Sequence, residues 1–194
     1  MRKSIKIPVR CLAIISLMAI SLTSCIQKSE TKKTTSISKK EIAKPSIDIH
    51  GAVVSGNLEA VKQHIKAGTD INQKEVMSKS TPLMSAVTFN KPKIAKALIN
   101  ANADLSVKNN DGSTALHTAA FFGRIDMVKM LLDAGADKTI KNNFGATPRE
   151  TLLGEFSEMK PIYEMLILQL QPMGFKLNLK ELEKVRPVVA MMLQ

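Results

Sequence analysis

The feature that most constrains this chain is that it repeats itself. The segment TPLMSAVTFNKPKIAKALINANADLSVKNN, from Thr81, returns as TALHTAAFFGRIDMVKMLLDAGADKTIKNN at Thr114, 33 residues on, and TPRET opens a further return at Thr147, again 33 on. An upstream copy, HGAVVSGNLEAVKQHIKAGTDIN, starts near His50. Its Asp70 precedes Asp104 by 34, which places one inserted residue in the Glu75–Lys79 loop. A fixed period of this length marks a supersecondary unit stacked on copies of itself. One such unit is too short to bury its own apolar face, so the neighbours must complete the core.

Inside each copy the pattern is helical. Ile94, Ala95, Leu98 and Ile99 recur at helical spacing, as do Met127, Val128, Leu131 and Leu132. Thr81, Thr114 and Thr147 stand where an N-cap hydroxyl belongs, with Pro82 and Pro148 at the first helical position. Gly68 and Gly135 stand at helix ends, where a left-handed residue closes the turn. Aromatic residues make up 4% of the chain and Trp is absent, so the core is built from Ala, Leu, Ile, Val and Met. That composition suits close-packed helices.

These residues resemble ankyrin repeats. The family pattern runs through a loop Asp-x-Gly, then T-P-L-H-x-A-A, Gly, V-x-x-L-L and G-A-D. Asp111-Gly112, Thr114 to Ala120, Gly123, Val128, Leu131-Leu132 and Gly135-Ala136-Asp137 follow it. The copy from Thr81 departs, with Met84 in place of His and Asn90 and Asn102 in place of Gly. Asn tolerates the left-handed conformation, so these exchanges are mild. The first copy lacks T-P-L-H and reads as the N-terminal cap. The resemblance implies an all-α ankyrin-repeat solenoid of helix-turn-helix units with β-hairpin-like loops, about three repeats plus a partial one over residues 47–150. It also implies that His117 hydrogen-bonds the backbone of a neighbouring loop. His64, between Lys62 and Lys66 on an outer helix, is expected to be solvated.

Residues 151–194 break the period and read as a C-terminal helical cap. One amphipathic helix is expected over 158–171 with Pro161 in its first turn, a second from Leu179 to Arg186, and a third short one starting at Pro187. The alternative use of this segment is a helix that docks a partner. A cap is favoured because an open solenoid end needs covering.

The N-terminus reads as an address. Arg2, Lys3, Lys6 and Arg10 precede the apolar run CLAIISLMAISL, then Thr23, Ser24 and Cys25. This is the layout of a secretory signal peptide over residues 1–24. The run is shorter than the roughly 20 apolar residues that span a bilayer. Leu22-Thr23-Ser24-Cys25 resembles the bacterial lipobox. The resemblance implies a diacylglycerol thioether on Cys25, cleavage before it, acylation of the new amino terminus and attachment to a membrane of the cell envelope. Ile26, where Asp would signal inner-membrane retention, points to the outer membrane, facing the periplasm, where a cell has one. Residues 25–46, rich in Lys, Ser and Thr, cannot bury enough apolar area to order themselves and read as a flexible tether.

Charge and side-chain chemistry then exclude several functions. The formal charge is +11, but four positive charges and no acid precede Cys25, and six Lys stand against two Glu in residues 26–45. Only +3 remains beyond Pro45, so no nucleic-acid surface is expected on the repeats. Cys11 and Cys25 are the only cysteines, and no His pairs with Cys, His or an acid at a ligand spacing, so no metal and no cofactor is expected. No nucleophile elbow, triad or phosphate loop occurs, and an enzyme is not expected.

What remains is a surface for another protein. Carried over from the family by position, its candidates are Met77, Ser78, Ser80, Thr88 and Phe89 in one copy, Asn110, Asp111, Ser113, Phe121 and Phe122 in the next, and Asn143 and Phe144 in the third. Each Phe is either an interface anchor or inter-repeat core, with Phe89 and Phe122 leaning to core and Phe121 and Phe144 undecided. The expected function is a membrane-anchored protein-interaction module of the envelope. A narrower alternative is an inhibitor or immunity protein that blocks a toxic envelope enzyme, and a third is an envelope enzyme or its accessory subunit.

Overall fold

The computed structural model describes residues 45–194; the signal segment, Cys25 and all but the last two residues of the tether lie outside them. Six short helices form three pairs: α1 (Ile49–Ser55) with α2 (Leu58–Lys66), α3 (Pro82–Thr88) with α4 (Pro92–Asn100), and α5 (Ala115–Phe121) with α6 (Ile125–Asp133). The first helices of the pairs stack in one row and the second helices in another. Each helix has 7 or 9 residues. Isolated helices below about 12 residues are marginal in water, so packing between repeats holds them. Val53, Val61, Val87, Leu98 and Val128 have no exposed surface, and Leu83, Leu116 and Leu131 have 1%. Each such side chain contributes about 1.5–3 kcal/mol by leaving water.

Local chemistry starts and stops each helix as the repeat requires. Thr81 Oγ1 accepts from the Met84 amide at 3.3 Å. Thr114 caps α5 reciprocally: its hydroxyl accepts from the His117 amide, and its own amide donates to His117 Nδ1 at 3.2 Å. Asn90 and Asn102 adopt φ of 52° and 61°, the left-handed conformation that Gly supplies elsewhere. No strand forms among the described residues, yet each long loop closes as a hairpin does. The Glu75 amide bonds the Ser80 carbonyl at 3.0 Å, Asn109 bonds Ser113 at 3.0 Å, and Asn142 bonds Ala146 at 2.9 Å.

His64 corrects an expectation. It is 4% exposed, with Nδ1 at 3.0 Å from Thr69 Oγ1 and Nε2 at 2.8 Å from the Ile47 carbonyl. Its flanking lysines suggested solvent, but helical periodicity puts it on the same inward face as Ala60 and Val61.

The segment after the third pair also differs. Thr147 and Glu150 bond each other's amides as a capping box would, but only a 3-10 turn follows, Glu150–Leu152. Two helices, not three, come next: α7 (Phe156–Leu170) and α8 (Leu179–Met192). Pro161 is therefore the sixth residue of α7, and Pro187 lies inside α8. A proline inside a helix costs about 3 kcal/mol, so burial must carry α8 through it. Leu182 and Val189 are buried. Arg186, the residue before the proline, is 4% exposed and donates to the Leu152 carbonyl at 2.8 Å, the Gly154 carbonyl at 2.7 Å and Tyr163 Oη at 3.3 Å. The 3-10 turn stacks on α5 and α8 stacks on α6, the two places a fourth pair would fill. α7 is an excursion between them that buries only Tyr163.

Candidate functional site

The loops between pairs are joined into one edge. The Asn110 amide donates to the Ser78 carbonyl and the Asn143 amide to the Asp111 carbonyl, each at 2.9 Å. The side chains add a second row: Asn110 Nδ2 donates to the Met77 carbonyl at 2.7 Å and Asn143 Nδ2 to the Asn110 carbonyl at 2.9 Å. Residues 32 or 33 apart thus bond each other, so the tips form a continuous hydrogen-bonded strip. In the first tip the Glu75 carboxylate accepts from the Met77 amide at 2.7 Å and from the Ser78 amide and hydroxyl. This holds Met77 outward.

The twelve sequence candidates divide on this strip. Met77, Ser78, Asn110, Asp111, Asn143 and Phe144 are exposed along it, and Met77 and Phe144 expose 87% and 79% of their surfaces. Val76, beside Met77, exposes 84% and was absent from the expected set. Ser80, Ser113 and Thr88 are half-buried.

Phe122 leaves the surface, and Phe89 and Phe121 are half-buried. Phe122 is buried and meets Phe121 at 5.0 Å between ring centres and Phe175 at 5.3 Å. Phe121 lies 4.6 Å from Tyr163, whose hydroxyl donates to the Phe121 carbonyl at 3.0 Å. Phe89 meets Phe175 edge-on at 6.2 Å, and Phe156 stacks on Tyr163 at 5.8 Å under the Arg186 guanidinium. Five of the six Phe and the single Tyr therefore form one connected cluster where the C-terminal segment covers the helix ends, and Phe144 stands apart from it. The chain's own segment thus takes up part of the surface of these three Phe, and Phe89 and Phe121 keep some of theirs exposed. The side chains that join them, Phe156, Tyr163 and Phe175, lie outside the repeat, where its period predicts no position.

His117 is 1% exposed and structural. Its Nδ1 accepts from the Thr114 amide, so the proton is on Nε2, which donates to the Ala146 carbonyl of the next loop at 3.0 Å. Burial above all lowers its pKa from the ordinary 6.5, with the charge of Lys108 acting in the same direction. No group of three His, Cys, Asp or Glu that could hold a metal occurs among the described residues, and no helix there is long and apolar enough to cross a membrane.

The family model described as "Ankyrin repeats (3 copies)" matches residues 49–142. Among solved structures, the ankyrin repeat domain of Bcl-3, a member of the IkappaB protein family, is similar with a TM-score of 0.52 and 31% identity, over 53% of this chain and 45% of that one. The chain thus spans under half the length of that relative. No curated protein matches. With 469 solved chains matching, likeness of fold singles out no partner. The repeats indicate a protein–protein interaction module on a fold that is typically a non-enzymatic binding scaffold.

Proposed function

We propose that this chain, whose residues 49–142 are an array of ankyrin repeats, is a lipid-anchored envelope protein that binds a partner protein through the edge formed by its loop tips. The observation that carries the reading is the exposure of Met77 and Phe144, at 87% and 79%, on backbone that the hydrogen-bonded strip holds fixed. Large apolar side chains on rigid backbone are what an interface uses as anchors, because little conformational entropy is lost when they are covered. The Leu22-Thr23-Ser24-Cys25 sequence supports the anchor, with acyl chains on Cys25 at the head of the tether, residues 25–46.

Two experiments test the two halves. Partner capture from solubilised envelope is expected to fail for the pair Met77→Ser plus Phe144→Ser while melting stays unchanged; capture at the unaltered level refutes the edge. Metabolic labelling with an alkyne-bearing fatty acid is expected to mark the chain and to miss Cys25→Ser. Equal labelling of both refutes the anchor.

A further inference from the structure

The uncovered apolar surface is concentrated after the repeats. Among the described residues, seven of the eleven large apolar side chains that stand exposed lie from Leu153 to Met191. On α7, Ile162, Met165 and Leu168 recur every third residue on the face away from the buried Tyr163, and Met173 follows in the turn after the helix. They expose 42%, 50%, 74% and 49% of their surfaces. Met165 to Phe175 is a run without a charged residue. The acids of α7 stand elsewhere: Glu155 and Glu158 are at its N-terminal cap and first turn, and Glu164 pairs with Lys160 at 3.9 Å. An exposed apolar ridge of this kind marks a contact.

We propose that the C-terminal half of α7 and the turn after it rest in the surface of the lipid bilayer that holds Cys25. This rests on the anchored reading above and adds a second point of contact. The 20 residues from Cys25 to Pro45 span at most about 70 Å even fully extended, so an acylated Cys25 keeps the bilayer within reach of the repeats at all times. With 15 residues, α7 is shorter than the roughly 20 that cross a bilayer, so it lies in the interface. Its apolar side chains project from the outer side of a single helix, a ridge that lipid accepts without a matching pocket. A second copy fits less well. Two α7 helices paired along their length would bring together Glu155, Glu158 and Glu164 of each, with Lys160 as the one base in either. The contact also leaves the loop edge free. Tyr163 Oη donates to the carbonyl of Phe121, the last residue of α5, whereas the tip at Asn110 precedes the first.

The chain contains no Trp, so a single introduced Trp reports its own surroundings. The lipidated chain bearing Leu168→Trp, a substitution at an exposed site, is purified from the envelope and reconstituted into phosphatidylcholine vesicles. Its emission is expected to shift to the blue and to be quenched by phosphatidylcholine brominated on the acyl chains. Lys129→Trp on α6 is expected to show neither effect, and adding Met165→Ser plus Met173→Ser to Leu168→Trp to remove the quenching. Quenching no greater at position 168 than at 129 would overturn the proposal. So would quenching that needs phosphatidylglycerol and disappears in high salt, because the contact is apolar and salt screens only charge. A blue shift without quenching that grows with protein density would assign the ridge to a second copy and overturn it too. If fatty-acid labelling marks Cys25 but Leu168→Trp stays unquenched, the anchor stands and only this contact falls. If Cys25 takes no label, the anchor falls and the contact with it.

Discussion

His117 is neutral in the folded chain because both ring nitrogens are committed: one must accept from Thr114 and the other donates to Ala146. Its folded pKa lies below the ordinary 6.5, so the unfolded chain takes up the proton first as pH falls. The stability it contributes is complete above about pH 6.5 and declines below it, toward the lowered folded value. Thermal melts from pH 8 to pH 5 are expected to show that loss, and His117→Gln to show a shallower one. An identical slope in both proteins would assign the acid sensitivity elsewhere. Lys79 is a second single-residue case. It holds φ of 58° at the tip position where the next two repeats have Gly112 and Gly145, at 71° and 75°. Left-handed backbone costs a side-chain-bearing residue roughly 1–2 kcal/mol, partly offset by the entropy that glycine loses. Lys79→Gly is expected to raise stability by about 0.5–1 kcal/mol in denaturant titration, and a loss of stability would contradict the strain.

At the scale of elements, the joint between α8 and the last full repeat is the sensitive one. Gly123 combines φ of 62° with Leu182 and Val185 packed where its Cβ would stand. Gly123→Ala is expected to cost about 2–3 kcal/mol and to speed hydrogen exchange in α8. Unchanged exchange there would show that α8 does not depend on this approach. The helices inside the repeat were legible from residues such as Thr81, Thr114, Asn90 and Asn102, because capping and left-handed turns are local chemistry. α8 was not. Pro187 reads locally as a helix start, and the burial of Leu182 and Val189 with the bonds of Arg186 to Leu152, Gly154 and Tyr163 keeps the helix running through it. His64 was misread for the opposite reason, since two charged neighbours outweighed a periodicity that was present.

Across the repeat array, the candidate surface was legible in outline, while its aromatics depend on a segment outside the repeat. The 33-residue period located the tips at Met77, Asn110 and Asn143, but Phe89, Phe121 and Phe122 pack on a segment whose position no repeat dictates. The central claim is that the loop-tip edge, and not the outer helices or the aromatic cluster, meets the partner. A photocrosslinking residue placed in turn at Phe144, at Lys129 on α6 and at Phe175 tests it directly in intact cells. A protein adduct is expected from position 144 and none from 129 or 175. An adduct from 129 with none from 144 would contradict it.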